Sequence, residues 1–273
     1  MTMHPPDDQL RMPASGEPPL PAILFLHGFL GSGRDWLPVA GLLEGRFRCL
    51  APDFPGHGAN RQRLDAGPSA FHDAAAGLLE EAGRLHAGPL HLVGYSMGGR
   101  MALYLALRFP ERFASATIVS ASPGLRTEEE RRQRSLGDEA LAESLEHDFD
   151  AFLERWYDLP LFATLKADPA FDEVLAARRQ GDPSSLASCL RALGTGSQPP
   201  LWDELPGNRL PILFCAGEKD AKFVEIGRQM VNLCPGSALD IFPGCGHTLH
   251  VEDRERFAAR LESFINNHRI LPI

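Results

Sequence analysis

The sequence predicts an α/β fold in which a mostly parallel sheet carries helices on both faces and is interrupted by a helical insertion. Short apolar runs alternate with amphipathic segments over residues 22–121 and again over 210–267. Strands that alternate with helices are typical of a parallel sheet with both faces covered. Between these regions, residues 122–206 hold several helix-forming stretches and no convincing strand. Because that segment is too long for a loop, we interpret it as a helical cap.

Each predicted strand is a short apolar run that ends in turn residues. The first run ends at His27-Gly28, and the second ends at the segment PDFPG, residues 52–56. In chain order, the strands are expected at residues 22–26, 48–51, 90–94, 113–120, 212–216 and 238–242.

The predicted helices follow from apolar residues at helical spacing and from helix-ending residues such as Pro110. The core helices are expected at residues 35–43, 70–85, 97–109, 224–233 and 253–265, and the cap helices at 127–135, 139–156, 170–179 and 185–193. We therefore predict three parts: a flexible N-terminal tail at 1–20, a core at 21–121 and 207–273, and the cap at 122–206.

Composition and charge exclude several classes of protein. Of 273 residues, 44% are hydrophobic and 23% are charged, which argues against a disordered chain or a coiled coil. The formal charge of −9 gives no general affinity for nucleic acid or an anionic membrane, since both need a positive field. No apolar run approaches the roughly 18 residues of a membrane span, and the N-terminus lacks the pattern of a signal peptide. We expect a cytoplasmic protein.

The cysteines give no sign of a disulfide framework or a zinc site. There are five, an odd number, none of them forms a C-x-x-C pair, and several lie in apolar runs. This usage fits a reducing compartment. We expect neither a metal nor another cofactor.

The segment GYSMG, residues 94–98, matches the pattern G-x-S-x-G between a predicted strand and a predicted helix. A nucleophile elbow requires this context, because its glycines let the chain turn tightly and project the hydroxyl of Ser96 beyond the sheet. The helix N-terminus behind the serine favours developing negative charge. The oxyanion site of such an elbow uses backbone N–H groups. We assign them to Met97, which follows the serine, and to Phe29 after the first strand.

A serine of ordinary pKa needs a base to activate it. The chain order for this elbow is serine, acid, histidine. His247 follows the last predicted strand, so we predict that it is the base. Three other histidines compete for this role. His27 and His57 precede Ser96 and suit structural roles, whereas His250 lies three residues beyond His247, near the start of the last helix.

The base in turn needs a carboxylate to orient it. Asp220 follows the fifth predicted strand, so its loop opens on the same sheet edge as that of the histidine. Glu218 lies two residues earlier and is a competitor, and we favour Asp220. The predicted triad is therefore Ser96, Asp220 and His247.

Further segments extend the pattern along the chain: FLHGF (25–29), PDFPGHG (52–58), GYSMGG (94–99), GEKD (217–220) and GCGH (244–247). Together they resemble the α/β-hydrolase superfamily over nearly the whole chain from residue 22. Three segments give a narrower match: GYSMGGR (94–100), SPGLRTEEER (122–131) and GTGSQPPLW (194–202). They resemble the 2-succinyl-6-hydroxy-2,4-cyclohexadiene-1-carboxylate synthase family of menaquinone or phylloquinone biosynthesis.

This resemblance implies an α/β-hydrolase fold and a cofactor-free lyase. The family eliminates pyruvate from 2-succinyl-5-enolpyruvyl-6-hydroxy-3-cyclohexene-1-carboxylate and uses the triad for proton abstraction. The resemblance also implies a set of substrate-binding residues: Tyr95, Arg100, Arg126, Trp156, Tyr157 and Arg178. Because the substrate carries three carboxylates and the protein is net negative, arginines inside the pocket suit it, and a guanidinium binds a carboxylate through two hydrogen bonds. Arg100 follows Ser96 by four residues, about one helical turn.

Two other classes of function stay open at this point. One is a serine hydrolase of a small ester, thioester or carbon–carbon bond, since this fold and triad host many reactions. The other is a non-enzymatic ligand receptor that retains the elbow. The arginines and the GTGSQPP segment favour the lyase. We expect a small tricarboxylate as the partner and no nucleic acid. The oligomeric state, and whether Ser96 acts as base or nucleophile, stay open.

Overall fold

The computed structural model describes residues 20–268. The predicted flexible tail at 1–20 lies outside this part, apart from its last residue. Within residues 20–268, no helix combines the length and the apolar character that crossing a membrane requires.

The strands form one sheet, parallel throughout, in the order β2-β1-β3-β4-β5-β6. They are β1 (Ala22–Leu26), β2 (Arg48–Leu50), β3 (Leu90–Tyr95), β4 (Phe113–Val119), β5 (Ile212–Gly217) and β6 (Ser237–Phe242). All of the predicted strands are present, and their ends differ from the prediction by one residue at most. The predicted α/β fold class is confirmed.

Helices connect the strands: α1 (Leu37–Leu42), α2 (Ala70–Leu85), α3 (Met97–Arg108), α4 (Glu128–His147), α5 (Phe149–Tyr157), α6 (Ala163–Lys166), α7 (Phe171–Arg178), α8 (Pro183–Leu193), α9 (Ala221–Leu233), α10 (Leu249–Glu252) and α11 (Arg254–Asn266). The first predicted helix, 35–43, is present as α1, and a 3₁₀ turn, Gly33–Trp36, precedes it. His250 does not begin the last helix but lies in the separate α10. The chain breaks there because the Asp253 side chain accepts a hydrogen bond from the Arg256 N–H at 3.3 Å and so starts α11.

Alternate residues of one strand pack into different apolar layers, because successive side chains of a strand point to opposite faces of the sheet. In β1, Ile23 and Phe25 pack in a layer with buried residues of α1 and α11. Leu24 and Leu26 pack in a layer with buried residues of α2, α3 and α9. Both faces of the sheet are therefore covered, as the alternation of strands and helices predicted.

The strand order reverses between β1 and β3. The chain leaves β1 for β2 on one side of the sheet and leaves β3 for β4 on the other side. In open α/β sheets, a crevice for ligands forms at the carboxyl ends of the strands at such a point. The loops that follow these two strands carry Phe29 and Ser96.

Helices α4 to α8 lie between β4 and β5, and residues 122–206, all of which the structure describes, contain no strand. Helix α4 begins with a capping box: the Thr127 hydroxyl accepts from the Glu130 N–H at 3.2 Å, and the Glu130 carboxylate accepts from the Thr127 N–H at 2.8 Å. Buried side chains of these helices form a cluster of their own, which also includes Leu30 from the loop after β1. This contact places the cap helices over the crevice.

Candidate active site

Ser96 occupies a strained turn between β3 and α3. Its φ is +51°, in the left-handed region that is costly for a residue other than glycine. Two glycines make this turn possible. A Cβ on Gly94 would lie 2.2 Å from the carbonyl oxygen of Gly98, and a Cβ on Gly98 would lie 2.2 Å from that of Leu26. The turn leaves Ser96 in the wall of a cavity at the carboxyl end of the sheet.

The structure brings Ser96, His247 and Asp220 into one hydrogen-bonded chain. Ser96 Oγ lies 3.3 Å from His247 Nε2, and His247 Nδ1 lies 2.7 Å from Asp220 Oδ2. Because the Asp220 carboxylate accepts, the proton belongs on Nδ1, and Nε2 is left to accept the proton of the serine. His247 is 2% exposed and Asp220 is 7% exposed. Water therefore competes little with the bond between them.

The two histidines that precede the serine accept backbone hydrogen bonds instead. His27 Nε2 accepts from the Phe54 N–H at 3.0 Å, and His57 Nε2 accepts from the Leu30 N–H at 3.2 Å. Burial lowers the pKa of both imidazoles. Both rings therefore stay neutral and hold the loops that surround the cavity.

His250 and Glu218 also lie off the hydrogen-bonded chain. The His250 ring is buried, 4.7 Å from the ring of Trp36 and 4.3 Å from that of Tyr95, measured between centroids. Burial lowers its pKa to about 3. The Glu218 carboxylate is half-exposed and accepts a hydrogen bond from the Gly244 N–H at 2.9 Å. The geometry thus separates the predicted triad from its competitors.

The two residues assigned to the oxyanion site lie on either side of the crevice. Phe29 lines the cavity beside Ser96, and Met97 is the first residue of α3. The first N–H groups of a helix have no partner within the helix. The N–H of Met97 is therefore suited to a developing oxyanion, and the oxyanion role of both residues stays a prediction.

The cavity above Ser96 is narrow. Its volume is about 40 Å³ for the centre of a water molecule, whereas pockets for small ligands typically measure about 300–1,000 Å³. Three of the predicted binding residues, Tyr95, Trp156 and Tyr157, line it. The last two belong to α5, so the cap forms one wall of the cavity and the loops at the strand ends form the other.

Arg178 also lines the cavity, but its guanidinium is paired with the carboxylate of Asp35. Its two terminal nitrogens donate to the oxygens of Asp35 at 2.8 and 2.7 Å, and its Nε donates to the Tyr157 hydroxyl at 3.2 Å. The side chains of Arg178 and Asp35 are 11% and 16% exposed. Burial opposes both charges. The pairing outweighs burial, so it raises the pKa of Arg178 and holds the pKa of Asp35 below its usual value.

The structure does not bring Arg100 to the cavity, although the sequence predicted it there. Its guanidinium donates to the carbonyl oxygens of Leu193 at 2.8 Å and Gly194 at 3.3 Å. These carbonyls belong to the C-terminal end of α8, where unpaired carbonyl groups attract a cation. Burial lowers the pKa of Arg100 to about 10.

Arg126 is likewise not among the described residues that line the cavity. Its side chain is exposed. Its guanidinium stacks on Trp202, 3.7 Å from the ring centroid. The Trp202 indole N–H donates to the carbonyl of Gly124 at 2.8 Å, which fixes the ring under the arginine. The aromatic ring offers this cation a local partner that the sequence motif did not reveal.

Comparisons with known proteins decide the family. The model of the alpha/beta hydrolase family matches residues 23–260. The 2-succinyl-6-hydroxy-2,4-cyclohexadiene-1-carboxylate synthase of Salmonella newport is 31% identical over 239 residues, which cover 87% of this chain and 91% of that protein. The chain belongs to the 2-succinyl-6-hydroxy-2,4-cyclohexadiene-1-carboxylate synthase family of alpha/beta hydrolases. This confirms the resemblance that its motifs indicated.

Two further proteins are similar to this chain. The solved structure of MenH from S. aureus is 32% identical, has a TM-score of 0.86 and is matched over 94% of its chain and 91% of this one. Protein PHYLLO, chloroplastic, of Arabidopsis thaliana is 35% identical over 258 residues, or 89% of this chain. The match spans 15% of the length of PHYLLO.

Sequence reasoning about this synthase missed Asp35. The signal was present: Ser32 and Asp35 have the spacing of a capping box directly after the loop of the first strand. In the structure, the Ser32 N–H donates to Asp35 Oδ2 at 3.3 Å. A carboxylate held at this place faces the cavity, and its partner Arg178 is 143 residues away in the chain.

Proposed function

We propose that this chain is a cofactor-free lyase. It eliminates pyruvate from 2-succinyl-5-enolpyruvyl-6-hydroxy-3-cyclohexene-1-carboxylate and leaves 2-succinyl-6-hydroxy-2,4-cyclohexadiene-1-carboxylate. The observation that carries this proposal is the similarity to named synthases over about nine-tenths of both chains. The substrate is a small tricarboxylate of menaquinone biosynthesis. The cysteine usage of the sequence supports a cytoplasmic site of action.

The hydrogen-bonded chain of Ser96, His247 and Asp220 supplies the base. His247 Nε2 takes the proton of the serine hydroxyl, which lies 3.3 Å away. Asp220 stabilises the imidazolium that forms, through the 2.7 Å contact to Nδ1. The serine oxygen then removes the acidic proton on the ring carbon next to the succinyl carbonyl. His247 thus holds the proton of the serine, and the serine oxygen is the group that contacts the substrate.

The electrons of the broken C–H bond move through the ring double bond. The carbon–oxygen bond to the enolpyruvyl group breaks, and the group leaves as the enolate of pyruvate. That enolate takes up one proton, which balances the proton that the His247 imidazolium releases as it returns to its neutral form. In the transition state, negative charge develops on the succinyl carbonyl oxygen. The N–H groups of Phe29 and Met97 are proposed to stabilise it, and one such donor is typically worth about 3–4 kcal/mol.

The carboxylates of the substrate need cations, and Arg178 lies in the cavity wall to bind one of them. The cavity is narrow beside a substrate of this size. Substrate binding is therefore proposed to move the part of the cap wall that carries Trp156 and Arg178 away from the strand ends. We propose that Arg100 and Arg126 bind carboxylates in that rearranged state, since neither lines the cavity as described for residues 20–268. Tyr95, Trp156 and Tyr157 would enclose the ring and exclude water.

The test is enzyme-dependent release of pyruvate. The substrate is made in situ from chorismate by the upstream enzymes, and only release above the rate without enzyme counts, because this compound also eliminates spontaneously. We expect rapid release by the wild type and none above background for Ser96→Ala. A Ser96→Ala variant with full activity would contradict the mechanism.

A parallel assay with p-nitrophenyl acetate addresses the hydrolase alternative. Poor ester cleavage beside fast pyruvate release supports the lyase. Brisk ester hydrolysis without accelerated pyruvate release would make this chain a serine hydrolase and leave its arginines to another acidic substrate.

A further inference from the structure

The loop that carries His247 is held by Glu252, a carboxylate outside the predicted triad. Glu252 Oε2 accepts a hydrogen bond from the Gly246 N–H at 2.7 Å. Glu252 Oε1 accepts from the Thr248 hydroxyl at 2.6 Å and from the Thr248 N–H at 3.2 Å. Gly246 and Thr248 are the two neighbours of His247. The carboxylate therefore bridges the backbone on both sides of the proposed base.

The local chain places Glu252 within reach of this loop. Helix α10 is a single turn, and the backbone N–H groups of Val251 and Glu252 both donate to the carbonyl of Thr248, at 2.8 and 3.1 Å. That turn folds the Glu252 side chain back toward the start of α10. The carboxylate therefore lies beside the backbone that leads into α10 and accepts the N–H of its N-cap residue, Thr248.

The cap restrains the same loop from another direction. A Cβ on Gly246 would lie 2.0 Å from the hydroxyl oxygen of Thr164 in α6. The glycine thus allows the cap to touch the loop directly. With Thr164 against one flank and Glu252 bonded to both neighbours of His247, the loop has little freedom to rotate.

We propose that Glu252 is a positioning residue that sets the distance between His247 Nε2 and Ser96 Oγ. This inference rests on the proposed catalytic role of His247. The two atoms are 3.3 Å apart, near the long end of a hydrogen bond, so a small further displacement would break the contact. Catalytic groups must be held to within about 0.5 Å by hydrogen bonds from the surrounding residues. Glu252 supplies such bonds and is not itself one of the residues that line the cavity.

The experiment compares Glu252→Ala, Glu252→Gln and the matched control Glu255→Ala. Glu255 is exposed and lies in the next helix, α11. Three quantities are measured: kcat and KM for pyruvate release, the rate at which a fluorophosphonate labels Ser96, and the melting temperature. Kinetic values are normalised to the folded protein determined by circular dichroism.

We expect Glu252→Ala to lower kcat about 10–100-fold, the range found when a hydrogen-bond partner that orients a metal-bound histidine is lost. KM should stay within about 2-fold, because Glu252 is not itself one of the residues that line the cavity; it reaches the wall only through Thr248. The labelling rate should fall together with kcat. The kcat and labelling rate of Glu252→Gln should lie between those of the wild type and of Glu252→Ala. Its amide keeps an acceptor oxygen for one neighbour of His247 but turns an NH₂ group toward the other. Glu255→Ala should match the wild type.

A purely structural role for Glu252 predicts a different result. In that case, the melting temperature falls, but kcat and labelling per folded molecule stay within about 2-fold of the wild type, and the proposal is overturned. A rise in KM at constant kcat would also overturn it. The labelling arm needs no natural substrate. If the wild type labels rapidly but releases no pyruvate, the proposed function fails while labelling still decides the role of Glu252.

Discussion

The core wall and the cap wall of the cavity are built in different ways. On the core wall, Ser96 follows β3, and His247, which bonds to Ser96 from behind the wall, follows β6. Their positions are set by strand ends and tight turns of the backbone. On the cap wall, Trp156 and Arg178 belong to α5 and α7. Side-chain contacts hold them in place: the Trp156 ring lies 5.6 Å from the ring of Phe29, and Arg178 is paired with Asp35.

This difference predicts that the catalytic residues stay in place while the cap wall controls access to the cavity. The sheet pairs every strand to its neighbours, so the core wall cannot move without breaking backbone hydrogen bonds. Trp156 and Arg178 of the cap wall meet the core through a ring contact and an ion pair, which can exchange partners at lower cost. We therefore expect the cap wall to move on binding and the core wall to keep its geometry.

The largest expected effect concerns the residues that support the core wall. Asp220→Asn should lower kcat for pyruvate release by about 10³–10⁴-fold, because an amide at this position favours the wrong tautomer of His247. The matched control is Glu218→Gln, which should retain activity within about 2-fold, since Glu218 binds the Gly244 N–H instead. Steady-state assays of both variants check this. The reverse ranking would make Glu218 the orienting acid.

The next effect concerns the contact between the walls. Asp35→Asn and Arg178→Met should each lower the free energy of unfolding by roughly 3–5 kcal/mol, because each leaves its buried partner without a countercharge. The double variant should lose less than the sum of the single variants. Urea unfolding of the four proteins measures this coupling.

An exposed ion pair of the cap provides the control. Lys166 and Asp158 are paired, but their side chains are 50% and 62% exposed. Lys166→Met should therefore cost less than about 1 kcal/mol. Additive losses at Asp35 and Arg178 would show that the pair does not join the walls in solution.

The sequence allowed prediction of the core wall because its positions depend on local rules. The G-x-S-x-G spacing, the strand ends and the chain order of serine, acid and histidine are all visible in one chain. The cap wall depends on long-range side-chain pairing. Helical spacing places Arg100 one turn beyond Ser96, but it does not predict that the guanidinium will donate to the carbonyl groups at the end of α8. Nor does the sequence show that Asp35 reaches Arg178.

Acid should disturb the core wall before it disturbs the contact between the walls. His250 is buried in the core wall, where burial lowers its pKa from 6.5 to about 3. Below pH 6.5, the unfolded chain binds a proton that the folded protein does not, so the free energy of unfolding falls as pH falls toward 3. Asp35 has a pKa below its usual 3.8. Its pairing therefore stabilises the protein above that pH and is lost only as pH drops through the lower, folded value.

A His250→Phe variant isolates the first of these effects, because phenylalanine keeps an aromatic ring against Trp36 and Tyr95 but cannot bind a proton. Relative to the wild type, the variant should gain about 2 kcal/mol in free energy of unfolding between pH 7 and pH 5, at about 1.4 kcal/mol per pKa unit. Urea unfolding at a series of pH values measures the difference. His147→Asn, at an exposed site at the end of α4, should leave the pH dependence unchanged. If the free energy of unfolding depends on pH in the same way for His250→Phe and the wild type, the core wall accommodates a charged imidazole. The core wall would then be less rigid than we infer from its paired strands.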